Sequence, residues 1–521
     1  MNNQSKVKIL TKNTTWIYIS KIFTQLFGFI VTIFVIRKLA VETWGTYNFL
    51  LSSFIIFRLL GLSPFLAVFN RYIPEIIQNR EYNKLKKIII YGLVLSVIAI
   101  FIVLIGVYNF RMQYGEFFNI ENFKIYFLSF MLYVCAESFY ELVKAILTSL
   151  LLHKHFSIIT ILGSIFSSLA LIYFLPSLNV ITLLSIRALL VTFYFIAATF
   201  VLLRYYKSLE LHVNKTHGTP VTFKRVARYG LFSSVNELGA GIVGKTSDYF
   251  IIAAIGNPYY IGLYAFAFKL YSLIYKILPL ADFKTIIKPL FFQKFSEDYY
   301  NKDEFVQIFN FMIKVLLPIF LFPTLYFFIF GKAIITYIYD PKYLEAYWVA
   351  CIIMLSNVFI AFYYPLGFTI QLKERVDISL YSKIVVVFSI TAGIIGMKFY
   401  NILGVAIATT IGDLLKYIFM YILIRNKADI VYKFYELKNY LFISANLILI
   451  FYFTQSLINN IWKLICISII FAGITVVLLI IFHPFNHKDI IMVKRISESS
   501  KIIKLIKPFV VKISQLKPGF I

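Results

Sequence analysis

The sequence predicts an all-α polytopic membrane protein of about 14 transmembrane helices. Three observations carry this prediction: the hydropathy, the alternation of basic loops and an internal repeat. Of the 521 residues, 60% are hydrophobic, and the mean hydropathy is +0.82, whereas soluble domains are about 45–50% apolar. Many apolar runs exceed the ~18 residues that cross a bilayer as a helix. A transmembrane barrel would show short alternating segments instead.

Fourteen apolar runs are predicted to be spans. In chain order they are 13–36, 45–68, 88–108, 122–148, 156–175, 180–203, 226–254, 261–282, 305–330, 344–369, 377–397, 402–424, 438–457 and 462–482. Loops on one side of the predicted membrane contain 33 Lys and Arg, counting both termini, and those on the other side contain 7. The positive-inside rule therefore predicts cytoplasmic N- and C-termini.

The net charge of +27 would suggest nucleic acid as the partner of a soluble protein. Here most of the excess positive charge falls in the predicted cytoplasmic loops and the tail. We therefore expect it to face anionic membrane lipids, and we predict no nucleic-acid partner.

Two stretches of the chain are nearly the same. WGTYNF at 44–49 and IGLYAF at 261–266 each open an apolar run, 217 residues apart. Each copy contains six spans, and both copies begin on the cytoplasmic side. This predicts two parallel repeats that form an N lobe and a C lobe around a central cleft. The predicted divisions are the N lobe 1–204, a cytoplasmic linker 205–225, the C lobe 226–425, an extra helix pair 426–482 and a basic cytoplasmic tail 483–521.

Eleven Lys and Arg fall within the predicted spans or at their ends. A charge at the bilayer centre costs about 2.5–3.5 kcal/mol, so such residues need a partner or a water-filled cavity. Lys21 lies on a polar stripe of the first span and is predicted to line the cleft; interhelical hydrogen bonding is the alternative. Arg58 and Arg187 are predicted either to line the cleft or to pair with a neighbouring helix.

The seventh and eighth spans contain further candidates. Glu237, Lys245 and Asp248 share one helical face, which predicts an anion site at Lys245 whose availability depends on protonation of an acid. A structural Lys245–Asp248 pair is the alternative. In the eighth span, Lys269 and Lys276 share a face with no acid between them, which favours a place in the transport pathway.

The fourth span places two acids and one base on one stripe. Glu137 and Glu141 could couple transport to protons or sodium, although internal pairing with Lys144 is the favoured interpretation. Cys135, Cys351 and Cys466 have no metal-ligand spacing, and no nucleotide-binding or hydrolase motif occurs. We therefore predict a transporter rather than an enzyme, with no metal or other cofactor, driven by an ion gradient or the membrane potential.

Several short motifs, taken together, resemble one known family. They are NTTW (13–16), RKL (37–39), GTY (45–47), RYIPE (71–75), DYFII (248–252), GLY (262–264) and YDPKY (339–343). In order and spacing they are similar to the multidrug/oligosaccharidyl-lipid/polysaccharide (MOP) exporter superfamily, and more narrowly to its bacterial polysaccharide-repeat flippases, the O-antigen (Wzx-type) transporters. The resemblance covers about 1–425 and the terminal pair.

The resemblance implies a flippase of the bacterial inner membrane, in O-antigen, lipopolysaccharide or capsule synthesis. It would move a polyprenyl-diphosphate-linked oligosaccharide to the outer leaflet by alternating access, with the polysaccharide polymerase machinery as a further partner. Fixed cations suit a diphosphate, and the candidates are Lys21, Arg58, Arg187, Lys245, Lys269 and Lys276. The alternatives are a cation-coupled multidrug antiporter of the same fold and a non-transporting scaffold for glycan assembly.

Overall fold

The computed structural model is helical throughout the residues it describes. These are 3–78, 81–120, 123–150, 152–209, 222–242, 246–277, 291–292, 295, 301–482, 484–485 and 489. The helices are α1 Asn3–Lys38, α2 Val41–Gly61, α3 Ser63–Gln78, α4 Tyr82–Asn109, α5 Arg111–Phe117, α6 Phe123–Ser149, α7 His153–Tyr173, α8 Val180–Leu209, α9 Phe223–Ile242, α10 Thr246–Ile255, α11 Pro258–Ile277, α12 Lys302–Ile334, α13 Tyr347–Leu372, α14 Val376–Ala428, α15 Lys438–Tyr452 and α16 Ile461–Phe482. Within the described residues, each predicted span falls mainly on one of these helices or on a helix pair; 243–245 of the seventh span and 278–282 of the eighth lie outside them.

Eight described helices are long and apolar enough to cross a membrane, and counting the bent pair α2–α3 gives nine. The residues on their exposed faces agree with a lipid environment. On α4, for example, Phe101, Ile102 and Ile105 are each more than half exposed, whereas Ser96 is fully buried. This is the reverse of a soluble protein, and the chain is therefore a multi-pass membrane protein.

The second predicted span is bent, which hydropathy did not predict. α2 and α3 meet at an angle of 63°. Pro64, in the first turn of α3, has no N–H to donate to the preceding turn, and the Ser63 hydroxyl donates to the Leu59 carbonyl at 2.7 Å. The bend therefore follows from a proline within an unbroken apolar run.

The predicted separation of the eleventh and twelfth spans matches a break inside α14. Tyr400 and Asn401 depart from helical geometry, and Asn401 has φ 51° and ψ −143°. Polar residues around this point predict the gap at 398–401. α14 therefore consists of two helices, which are joined by a very short turn at Tyr400 and Asn401.

The chain divides into two compact units. Unit 1 comprises Met1–Ala265 and Met397–Val405, and unit 2 comprises Phe266–Gly396 and Ala406–Ile521. In unit 1, α3, α4, α6 and α8 share a core that includes Phe69, Ile73 and Ile146, all without exposed surface. In unit 2, α12 supplies Phe305, Phe309 and Phe320, also without exposed surface.

Candidate functional site

A group of ionisable side chains lies inside unit 1, and we call it the charge cluster: Arg58, Glu137, Glu141, Lys144 and Arg187. Its centre is α6, where the two acids and Lys144 follow one another at four- and three-residue spacing and so share a face. Arg58 reaches this face from α2 and Arg187 from α8. The structure therefore brings together four of the residues that the sequence singled out.

The two carboxylates are bound differently. Glu141 has two cations, with Lys144 Nζ 2.9 Å from its Oε1 and Arg58 Nη1 3.5 Å from its Oε2. Glu137 is held more loosely, because the closest approach of Arg187 Nε to its Oε2 is 4.0 Å. That Oε2 atom is also buried without a hydrogen-bond donor among the described residues. Glu137 therefore retains unused hydrogen-bonding capacity at Oε2.

The cations of the charge cluster are more accessible than its acids. Side-chain exposure is 12% for Glu137 and 16% for Glu141, but 35%, 36% and 43% for Arg58, Lys144 and Arg187. Three accessible positive charges thus lie next to two less exposed negative ones, for a formal net charge of +1. Charged groups facing lipid are costly, so this arrangement suits a water-filled space, where it can accept an anion.

Three tyrosines lie near Arg187, and the sequence did not single them out as site residues. They are Tyr47, Tyr133 and Tyr194. Tyr47 belongs to the repeated motif, and its counterpart 217 residues later is Tyr264. The internal repeat could have pointed to Tyr47, because both copies of the motif have a tyrosine at this position.

In the second copy, the matching tyrosine hydroxyl donates to an acid. Tyr264 on α11 donates a hydrogen bond to Asp248 Oδ2 on α10, and both side chains are buried. The ring of Tyr249 meets that of Tyr264 edge-on, with centroids 5.7 Å apart. Each copy therefore places its motif tyrosine close to a buried carboxyl group.

The remaining predicted site residues are distributed elsewhere. Lys21 on α1 and Glu237 on α9 are half-buried, and neither has an ion-pair partner within the described part of the chain. Lys269 is half-buried on α11, and its carbonyl accepts a hydrogen bond from the Ser272 hydroxyl at 2.8 Å. Lys245 and the side chain of Lys276 lie outside the described residues, so their predicted roles stay predictions.

Unit 2 contains a buried ion cluster that the sequence did not indicate. Lys314 on α12 is 1% exposed, and its Nζ lies 2.5 Å from Glu436 Oε2 and 2.9 Å from Asp489 Oδ2. The Tyr440 hydroxyl donates to the Lys314 carbonyl at 2.8 Å. Because its charge is fully occupied, Lys314 is a structural residue rather than a ligand for a substrate.

The chain shares its fold with solved transporter and flippase structures. The chain is similar to an inward-facing multidrug resistance MATE family transporter of the MOP superfamily, with a TM-score of 0.62 and 15% identity over 78% of this chain and 94% of that chain. It is similar to the lipid II flippase MurJ in an inward closed conformation, with a TM-score of 0.66 and 14% identity over 92% of this chain and 100% of that chain.

A MATE transporter in the bent conformation gives a TM-score of 0.54 at 15% identity, over 81% of this chain and 95% of that chain. No protein-family model and no curated protein matches the chain. At these identities the likeness establishes the fold. The predicted fold class is confirmed, and the solved structures that share the fold include a member of the superfamily that the motifs resemble.

Proposed function

We propose that the protein is a flippase that moves a lipid-linked oligosaccharide, in the form of a polyprenyl-diphosphate-linked polysaccharide repeat unit, from the cytoplasmic to the outer leaflet. Its place would be a bacterial inner membrane with both termini in the cytoplasm, as the 33 to 7 division of basic residues favours. The mechanism is alternating access of two parallel repeats.

The observation that carries this proposal is the charge cluster. A diphosphate needs several fixed cations, and bidentate guanidinium groups match its geometry. Arg58 and Arg187 supply accessible guanidinium groups and Lys144 supplies an accessible ammonium group, while Glu141 pairs with Arg58 and Lys144. A bound diphosphate would neutralise the net positive charge that the two carboxylates leave on the cluster.

The fold comparison supports the same function. The match to MurJ, described as a lipid II flippase, extends over 92% of this chain and includes all of that chain. The MATE transporters cover 78–81%. We therefore favour a lipid-linked anionic substrate, with Lys21, Lys245, Lys269 and Lys276 as further proposed ligands.

A cation-coupled multidrug antiporter is the second candidate, and the MATE neighbours are the observation in its favour. An antiporter that exports cationic drugs relies on accessible acids within the membrane. In the charge cluster the acids are the more buried members, which counts against this function. Glu137, Glu141, Glu237 and Asp248 remain the proposed groups for coupling to H⁺ or Na⁺.

The experiment measures which leaflet holds the polyprenyl-diphosphate-linked glycans in spheroplasts that lack this protein. Restoring the wild-type chain should clear a cytoplasmic-leaflet build-up, and Arg187→Gln should not. Loss of one charge-assisted bond, worth about 1.5–3 kcal/mol, lowers affinity for the diphosphate about 10- to 150-fold.

A double variant tests whether Arg187 binds the anion or only neutralises Glu137. Arg187→Gln combined with Glu137→Gln removes both charges, so no buried carboxylate is left unpaired. It should still fail to clear the build-up if Arg187 binds the substrate. Recovery in the double variant would make Arg187 a structural partner only. Arg111→Gln is the matched control, because Arg111 is a half-buried arginine on another helix, α5, where its Nη1 donates to the Tyr108 carbonyl at 2.7 Å.

A further inference from the structure

A group of polar side chains lies within unit 2, and we call it the tyrosine cluster: Tyr271, Tyr363, Tyr364, Asp413, Lys416 and Tyr417. The rings of Tyr363 and Tyr417 are stacked, with centroids 4.8 Å apart and an interplanar angle of 26°. The Tyr417 hydroxyl interacts electrostatically with Asp413 and with the other three tyrosines. The Lys416 ammonium lies 5.8 Å from the centroid of the Tyr417 ring. The cluster therefore combines aromatic faces and hydroxyl groups with one carboxylate and one ammonium group.

The tyrosine cluster and the charge cluster use matching helices of the two predicted repeats. The charge cluster lies on the second, fourth and sixth predicted spans of the first repeat, which are α2, α6 and α8. The tyrosine cluster lies on the second, fourth and sixth predicted spans of the second repeat, which are α11, α13 and the second half of α14. The first repeat supplies mostly ions at these places and the second mostly tyrosines. This difference in chemistry indicates a difference in ligand.

The second half of α14 shows which side of the helix carries the cluster. One face has large exposed apolar residues at three- and four-residue spacing: Ile411, Leu415, Ile418 and Ile422. Such a stripe suits contact with lipid. At about 100° per residue, Asp413, Lys416 and Tyr417 lie on the opposite face, and all three are half-buried rather than fully enclosed. Because charged groups in contact with hydrocarbon are costly, their exposed parts require a water-filled space on the side of the helix away from lipid.

The chemistry of the tyrosine cluster suits a polyhydroxylated ligand. The C–H face of a sugar ring packs on an aromatic ring, and sugar hydroxyls exchange hydrogen bonds with phenol, carboxylate and ammonium groups. Tyrosine makes both kinds of contact at a low cost in conformational entropy. A cationic ligand fits less well, because Lys416 already lies near the Tyr417 ring and is itself repelled by Lys383. A diphosphate also fits less well, since tyrosine hydroxyls have no positive charge to match it.

We infer that the tyrosine cluster is a sugar-binding site, which takes the oligosaccharide of the substrate while the charge cluster takes the diphosphate. The inference rests on the proposed flippase function and adds the part of the protein that recognises the glycan. Tyr363 and Tyr417 supply the ring faces, and Asp413 and Lys416 bind hydroxyl groups. The chain then distinguishes one glycan from another through residues that do not contact the diphosphate.

The test compares the affinity of the purified protein in detergent for two ligands. One is the polyprenyl-diphosphate-linked oligosaccharide extracted from cells that lack this protein, and the other is polyprenyl diphosphate without a sugar. The wild-type chain should bind the glycan-linked lipid more tightly. Tyr363→Leu and Tyr417→Leu should each weaken binding of the glycan-linked lipid about five- to hundredfold, because a ring contact and a hydrogen bond are lost. Their affinity for polyprenyl diphosphate should equal that of the wild type.

Two further sets of variants serve as controls. Tyr326→Leu should change neither affinity, because Tyr326 is a half-buried tyrosine of unit 2 whose hydroxyl is hydrogen-bonded to Ser468 on α16, 2.5 Å away. Tyr363→Phe and Tyr417→Phe cover the case in which the leucine variants do not fold, since they keep the stacked rings. Each phenylalanine should still weaken binding of the glycan-linked lipid about two- to tenfold, through the lost hydroxyl alone.

Three results would overturn the inference. Equal wild-type affinity for the two ligands would show that the protein does not contact the sugar. Tyrosine variants that weaken both ligands alike would make the cluster structural. If the leucine variants lose binding of the lipophilic cation tetraphenylphosphonium but bind the glycan-linked lipid as tightly as the wild type, the cluster is a cation site.

Failure of the proposed function has a different signature in the same measurements. Arg187→Gln should weaken binding of both ligands, because both contain the diphosphate. If Arg187→Gln binds polyprenyl diphosphate as tightly as the wild type, the charge cluster is not the anion site, whatever the tyrosine variants do.

Discussion

Replacing Lys314 with methionine should destabilise unit 2 strongly. Lys314 is 1% exposed and holds two carboxylates, Glu436 at 2.5 Å and Asp489 at 2.9 Å, whose side chains are 14% and 9% exposed. Removing the cation leaves the carboxylates of Glu436 and Asp489 close together, with no lysine between them. Breaking a buried pair costs about 3–5 kcal/mol, and we expect a loss within this range, since Glu436 keeps Lys433 Nζ 3.8 Å from its Oε1.

The two acids should not contribute equally. Glu436 has a second cation, because Lys433 Nζ lies 3.8 Å from its Oε1. Asp489→Asn removes one negative charge beside Lys314 and retains a hydrogen-bonding side chain, and it should cost less than Lys314→Met. Combining Lys314→Met with Glu436→Gln and Asp489→Asn should recover most of the loss, because no uncompensated charge remains.

The assay is thermal unfolding of the purified protein in detergent, read as the apparent melting temperature. Lys302→Met is the matched control. Its Nζ lies 2.6 Å from Asp429 Oδ2, but the side chains are 71% and 48% exposed, and exposed pairs contribute about 0–1 kcal/mol. A melting temperature for Lys314→Met equal to that of Lys302→Met would refute the reasoning.

Two further predictions concern stability alone. Tyr264→Phe removes the donor to buried Asp248 and should lower the free energy of unfolding by about 1–3 kcal/mol, measured by the same thermal assay; no change would mean that the carboxyl group finds another donor. Asn401→Gly should raise the melting temperature, because φ 51° with ψ −143° is strained for any residue with a Cβ and costs about 1–3 kcal/mol. A lower melting temperature would show that the Asn401 side chain is itself needed.

Hydropathy predicted the helices well, because lipid imposes long apolar spans. The orientation that charge placement favours stays a prediction. The bend between α2 and α3 was missed, since Pro64 sits inside an apolar run that carries no change of polarity. The break at Asn401 was predicted, because polar residues mark it.

The site was predictable only where partners share a helix. Glu141 and Lys144 are three residues apart, so their pairing follows from helical spacing. The approach of Arg58 to the same acid depends on how α2 packs against α6, which spacing along the chain does not encode. The same holds for Lys314, whose partner Asp489 is 175 residues away.

The most direct test of the central claim is reconstitution of the purified protein in liposomes with a fluorescent polyprenyl-diphosphate-linked oligosaccharide in the inner leaflet. The account predicts that the wild-type chain transfers this lipid to the outer leaflet and that Arg187→Gln does so at least about tenfold more slowly. Export of a cationic drug under an ion gradient, without any transfer of the lipid, would contradict the flippase proposal and favour the antiporter.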